Sequence, residues 1–136
     1  MSEMRLFTPE EANRTLAVLR PLAERLVEAR RTQLGLQAEL EGVRRVVAGN
    51  GGSLDPGRAG DLAEAVARAS AEVAGLVEEI DLLGVQVKDL DSALVDFPAR
   101  HPSGETVLLC WELGEPEVAH WHGLETGFAG RKPLPF

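Results

Sequence analysis

The sequence has no tyrosine and one cysteine, Cys110. A single cysteine excludes an intrachain disulfide and a thiolate zinc cluster, since both need at least two. Cys110 stands between Leu109 and Trp111 in an apolar run, where a thiol is expected to be buried and inert rather than nucleophilic. Aromatic residues are 4% of the chain while hydrophobic residues are 44%. The core must therefore come from Ala, Leu and Val, a composition of long helices rather than of a β sandwich. Positive charge is also scarce: 14 basic residues face 22 acidic ones, for a net charge of −8. That argues against phosphate-backbone binding as the main activity, which needs clustered Lys and Arg. The basic pairs Arg30–Arg31, Arg44–Arg45 and Arg131–Lys132 are expected to be solvated faces. No stretch approaches the roughly 20 apolar residues that span a bilayer, and "MSEMRLFTPEE" has no signal-peptide run. The expectation is a cytoplasmic protein with neither nucleic-acid nor membrane partner, and 136 residues suit one domain of ordinary size.

Helical pattern fills the first part of the chain. In "FTPEEAN", Thr8 can cap a helix, Pro9 suits its first position, and Glu11 stands three residues after the cap as a capping box requires. Apolar residues then recur at Leu19, Leu22, Leu26, Ala29, Leu36, Leu40, Val43 and Val47, with Gln33 filling the position where a hydrophobe is expected. The glycine-rich "AGNGGSLDPG" breaks the pattern. Asp55 can cap a second helix, whose stripe is Leu62, Val66, Ala69, Val73, Leu76, Ile80 and Leu83. Alternating steps of four and three are those of a coiled-coil seam. Two such seams joined by a short polar loop predict an antiparallel hairpin over residues 1–84.

The two helices differ in length. The first, from about 9 to 48, spans roughly 60 Å and the second, from about 56 to 83, roughly 40 Å. Residue 84 should then fold back near residue 20, with a kink expected at Pro21. Residues 9–20 are left without a helical partner, so Leu16, Val18 and Leu19 should pack on the rest of the chain.

After Gly84 the period shortens to two. "VQVKD" and "SALVDFPA" read as short strands, the second ended by Pro98, and "ETVLLCWELGEPEVAHWH" as two strands around a tight turn at Gly114–Glu115–Pro116. "ARHPSGE" is a polar loop with His101 expected in solvent, and "GLETGFAGRKPLPF" a closing loop anchored by Phe128 and Leu134. Three or four antiparallel strands are expected over residues 85–136, a β-rich cap folded as one unit with residues 9–20. A sheet this small needs that helix cover to be stable. The fold class is α+β.

These residues carry a family resemblance. "GVQVKDLDSALVDFPA" followed by "LCWELGEPEVAHWHGLETGFAGRKPL", together with the opening "FTPEEAN", resembles an uncharacterised bacterial family, domain of unknown function 2203. The Trp121–His122 pair, an acid near Glu125 and Gly127–Phe128–Ala129–Gly130–Arg131 match its pattern, and His120 matches less well. The resemblance implies a small bacterial protein without an established activity, and no mechanism.

Candidate chemistry collects near the C-terminus. On a strand, His120 and His122 point to one face, and two imidazoles so placed can share a divalent ion such as zinc, iron or manganese. Asp96, Glu112, Glu117 and Glu125 are the nearest carboxylates in sequence, and His122, Glu125 and Asp96 with His120 form the candidate metal set. The competing expectation is a histidine hydrogen-bonded to a local carboxylate. Arg131, beside Gly127 and Gly130, is expected either to bind an anion or to pair with Glu125 or Asp96. Asp89 and Asp91 should bound a turn rather than bind calcium, because the rest of an EF-hand loop is missing. Gln33 on the seam fits a register-fixing polar residue. Val27, Leu34 and Val46 lie off it, which points to a homodimer through helix–helix packing. The sequence thus favours a non-enzymatic interaction or scaffold protein, with a metal-binding or metal-dependent cap as the alternative.

Overall fold

The computed structural model describes residues 4–49 and 56–136. The glycine-rich connection and the expected Asp55 cap lie outside the described residues. Helix α1 runs Pro9–Gly49 and α2 runs Pro56–Leu82, followed by strands β1 Gln86–Asp89, β2 Leu94–Arg100, β3 Thr106–Glu112, β4 His120–His122 and β5 Lys132–Pro133. The strands form one sheet in the order β1-β2-β3-β4-β5, every pair antiparallel. The architecture is α+β: a two-helix hairpin carrying a five-stranded sheet. Among the described residues no helix is long and apolar enough to cross a membrane.

Helix α1 begins as its sequence dictates. The Glu11 N–H donates to Thr8 Oγ1 at 3.1 Å and the Thr8 N–H donates to Glu11 Oε1 at 3.0 Å, the reciprocal pair of a capping box. Pro21 lies inside the helix with an exposed side chain. Along the hairpin the expected stripes meet: Leu19, Leu26, Ala29, Leu40 and Val43 are buried on α1, and Ala69, Val73, Leu76 and Ile80 on α2. Gln33 bridges the helices, donating through Nε2 to Ser70 Oγ at 3.0 Å while its Oε1 accepts from Arg30 at 2.8 Å. This satisfies the polar group in the seam and fixes one register.

The overhang inferred from unequal lengths has the expected role. Ala12, Leu16 and Leu19 join Val95, Phe97, Ala99, Val107, Leu109 and Trp111 in one core with Leu76 and Ile80 of α2. Alternation explains the choice of strand residues, since odd-numbered positions of β2 and β3 face the helices. Val18 departs from expectation. It is 55% exposed, because it lies next to Leu19 on the helix and a stripe narrow enough to meet one sheet excludes it. Asn13 ties the same turns to the sheet module, accepting from the Val118 N–H at 2.7 Å.

Four details of the cap differ from expectation. Strand β2 continues through Pro98 to Arg100. The carbonyl of Pro98 accepts the Phe7 N–H at 2.7 Å, so the side of β2 that lacks a proline donor faces the N-terminal segment and not β3. There the strand is locally an edge, where proline is tolerated. The tight turn expected at Gly114 forms, with the Glu115 N–H donating to the Glu112 carbonyl at 3.0 Å, but the connection runs on through residue 119 before β4 begins at His120. The closing segment adds a 3-10 turn, Phe128–Gly130, and strand β5 on β4, which makes five strands. His101 is only partly exposed, its ring tilted against that of Trp121 at 4.9 Å and edge-to-face with that of Phe136 at 5.0 Å. Asp89 closes its turn as expected, accepting from the Asp91 N–H at 3.2 Å and the Ser92 hydroxyl at 2.8 Å.

Candidate functional site

The face of the sheet turned away from the helices carries the polar chemistry. Period-two alternation puts Asp96 of β2, Cys110 of β3 and His120 and His122 of β4 on that face. The register sets Asp96 opposite Cys110 and Cys110 opposite His120. Asp96 and His122 are the buried polar residues of the protein among those described, at 3% and 4% exposure. His122 Nε2 lies 3.1 Å from Asp96 Oδ1, and His122 Nδ1 lies 2.8 Å from the Gly123 carbonyl.

Those two contacts define the protonation of the pair. A carbonyl oxygen only accepts, so Nδ1 of His122 carries a hydrogen. One proton must then lie between Nε2 and the carboxyl, on either partner, for the second contact to be a hydrogen bond. Burial pushes the Asp96 carboxyl above its ordinary range, opposed by the His122 hydrogen bond and charge and by Lys88. Burial likewise pushes the Cys110 thiol up to about 11, with the Asp96 charge adding to the effect and Arg131 opposing it. Cys110 is 1% exposed, which matches the expected burial of its thiol.

A cavity of about 210 Å³ opens against the pair. Asp96 and His122 form its polar floor, Leu94 and Leu108 the sheet side, Leu124 and Phe128 the opposite wall, and Lys88 a cationic edge. The chain segment after β4 builds that wall. The Gly123 N–H donates to Thr126 Oγ1 at 3.0 Å, closing a turn, and Gly127 then takes φ 64°, which a glycine accommodates. Phe128 is held beneath the Arg131 guanidinium at 4.4 Å.

Of the residues singled out from sequence, the structure brings Asp96 and His122 together and leaves two others apart. Glu125 is exposed on the turn after β4. Nδ1 of His120 is buried without a hydrogen bond among the described residues, its nearest carboxylate being Glu115 at 3.9 Å. Arg131 is paired internally, but with Glu115 at 3.1 Å rather than with Glu125 or Asp96. The β4–β5 pairing explains this: continued by one residue it sets Arg131 on the face that carries His120 and Cys110. The residue that sequence reasoning set aside is Cys110. Its sulfur, Asp96 oxygen and His122 nitrogen lie within 4.8 Å of one another, the one such trio of metal-ligating side chains among the described residues. Alternation along β3 could have put Cys110 on the histidine face, but only the β2–β3 register puts it opposite Asp96.

No curated protein and no solved structure matches the chain. A family model described as "Uncharacterized conserved protein (DUF2203)" matches residues 5–134. With the helical hairpin, the sheet and the buried polar face all inside that match, the chain belongs to the DUF2203 family.

Proposed function

We propose that the protein acts as a non-enzymatic interaction scaffold in the cytoplasm, a stiff two-helix arm on a compact β cap that self-associates through its helices. One observation carries the reading: the arm is longer than the fold needs. The core that joins helices to sheet includes nothing on α1 beyond Ala29 and nothing on α2 before Val73. The hairpin nevertheless continues to Gly49, roughly 30 Å farther at 1.5 Å per residue. Leu40 and Val43 keep a tight seam out there, at 6% and 7% exposure. An extension that does nothing for the cap is explained by what it presents to a partner. Of the three hydrophobes expected off the seam, Leu34 and Val46 are each 41% exposed along the extension and available to a second copy, while Val27 packs partly buried against the core.

The test is to replace residues 37–66 by a short glycine-rich turn, which preserves the Gln33–Ser70 register, and to compare masses by light scattering. The full chain is expected as a dimer at micromolar concentration and the shortened one as a folded monomer. A monomeric full chain refutes self-association through the helices. A second reading, a cap that holds a divalent metal ion, is favoured by a separate observation, the convergence of Asp96, Cys110 and His122.

A further inference from the structure

We propose that Asp96 Oδ1, Cys110 Sγ and His122 Nε2 form a three-ligand site for a divalent ion of the zinc type, with its fourth position open to the cavity between Leu108 and Phe128. This deepens the second reading above and rests on it. It replaces Glu125 and His120 with Cys110 as the third ligand.

The geometry carries the assignment. The three donors come from three adjacent strands, β2, β3 and β4, and their atoms lie within 4.8 Å of one another. A tetrahedral zinc ion bound at about 2.0–2.3 Å holds its donors about 3.3–3.7 Å apart. The Asp96–His122 separation of 3.1 Å therefore needs to open by a few tenths of an ångström, and the Cys110 sulfur, within 4.8 Å of both donors, to draw in by up to about 1 Å. The ion would take the place of the proton that now joins the two side chains. His122 is already oriented for the task. Its Nδ1–H donates to the Gly123 carbonyl, the outer hydrogen bond that fixes the tautomer of a metal-binding histidine and aims Nε2 at the metal.

The donor set selects the ion. A thiolate with an imidazole and a carboxylate favours zinc over the hard cations magnesium and calcium. One thiolate and one carboxylate neutralise the divalent charge, so no net charge is buried. The cavity of about 210 Å³ borders both Asp96 and His122, giving the ion an entry path and room for water or a small anionic ligand. Lys88 stands at its edge, with charge of the sign such a ligand requires. The same trio does not form a thiol nucleophile with its base. The imidazole nitrogens are engaged by Asp96 and the Gly123 carbonyl, and a sulfur that is 1% exposed is closed to a bulky substrate.

The experiment uses the full-length protein stripped with a chelator and titrated with zinc, then with cobalt(II) as a spectroscopic stand-in. One equivalent of zinc is expected, with a rise in melting temperature. Cobalt(II) is expected to give the near-ultraviolet charge-transfer absorption of a cobalt–thiolate bond. Asp96→Asn is the informative variant, because an asparagine amide still donates to Nε2 of neutral His122 and preserves the fold. It should weaken zinc binding by more than the about 10–100-fold that follows loss of an outer hydrogen-bond partner. Cys110→Ser should abolish the cobalt–thiolate band. Glu125→Gln and His120→Gln should leave both signals intact. A wild-type protein that takes up no zinc overturns the site and the metal-holding cap together. Cobalt bound without a thiolate band, or binding lost in Glu125→Gln but kept in Cys110→Ser, overturns the Cys110 assignment while leaving a metal-holding cap in place.

Discussion

Leu19 and Val18 are neighbours in sequence and opposites in environment, and truncating each to alanine tests the whole architecture. Leu19 is 0% exposed in the core between α1 and the sheet, while Val18 is 55% exposed. Leu19→Ala removes three carbons from a close-packed site. At about 0.8 kcal/mol per buried methylene the transfer loss is roughly 2.4 kcal/mol. The cavity left behind adds up to about 2 kcal/mol, depending on how far Leu16, Phe97 and Trp111 relax into it. The expected loss is thus about 2.5–4 kcal/mol. Val18→Ala should change stability by at most about 0.5 kcal/mol, because little area is lost and alanine is the better helix former. Urea unfolding followed by tryptophan fluorescence reads the difference, since Trp111 is buried in the same core. With a urea slope of about 2 kcal/mol/M, the Leu19→Ala midpoint should fall by roughly 1–2 M while that of Val18→Ala barely moves. Two midpoints within about 0.3 M of each other would refute the claim that the first turns of α1 floor the sheet.

Other predictions concern the cap of α1 and the seam. Thr8→Ala should cost about 1 kcal/mol by removing the acceptor for the Glu11 N–H. The Thr8 backbone hydrogen bond, followed by its hydroxyl, holds the Glu11 carboxyl below its ordinary value of 4.5. The folded state therefore favours the ionised form: this contribution is complete above about pH 4.5 and disappears as pH falls through the lower folded-state value. Thermal melts should show that acid-side slope reduced in Glu11→Gln, and an unchanged slope would count against the capping box. A double-mutant cycle between Gln33→Ala and Ser70→Ala should give a coupling of about 0.5–1.5 kcal/mol. Strict additivity would mean that the seam hydrogen bond fixes no register.

Local chemistry decided the helices. Thr8, Pro9 and Glu11 specify where α1 begins whatever surrounds it, because capping involves groups only three residues apart. The stripes from Leu19 to Val43 and from Ala69 to Ile80 specify a hairpin, because period and spacing leave each helix one apolar side. Unequal lengths also made the overhang of α1 legible, though not its exact face: Leu16 and Leu19 turned inward and Val18 did not.

The sheet was less legible, since its contacts join residues far apart in sequence. Pro98 reads as a strand end and becomes a strand interior because the side that lacks a donor faces the Phe7 segment and not β3. Lys132 and Pro133 carry no strand signal and pair because β4 offers a free edge. The site depended most on tertiary structure. The sequence put His120 and His122 on one face and named Asp96, but offered Glu125 by proximity and dismissed Cys110 as inert filling. Alternation along a strand is a local property, written in the residues themselves. Register between strands is not: it is set by how the whole core packs, and here that packing alone brought Cys110 opposite Asp96.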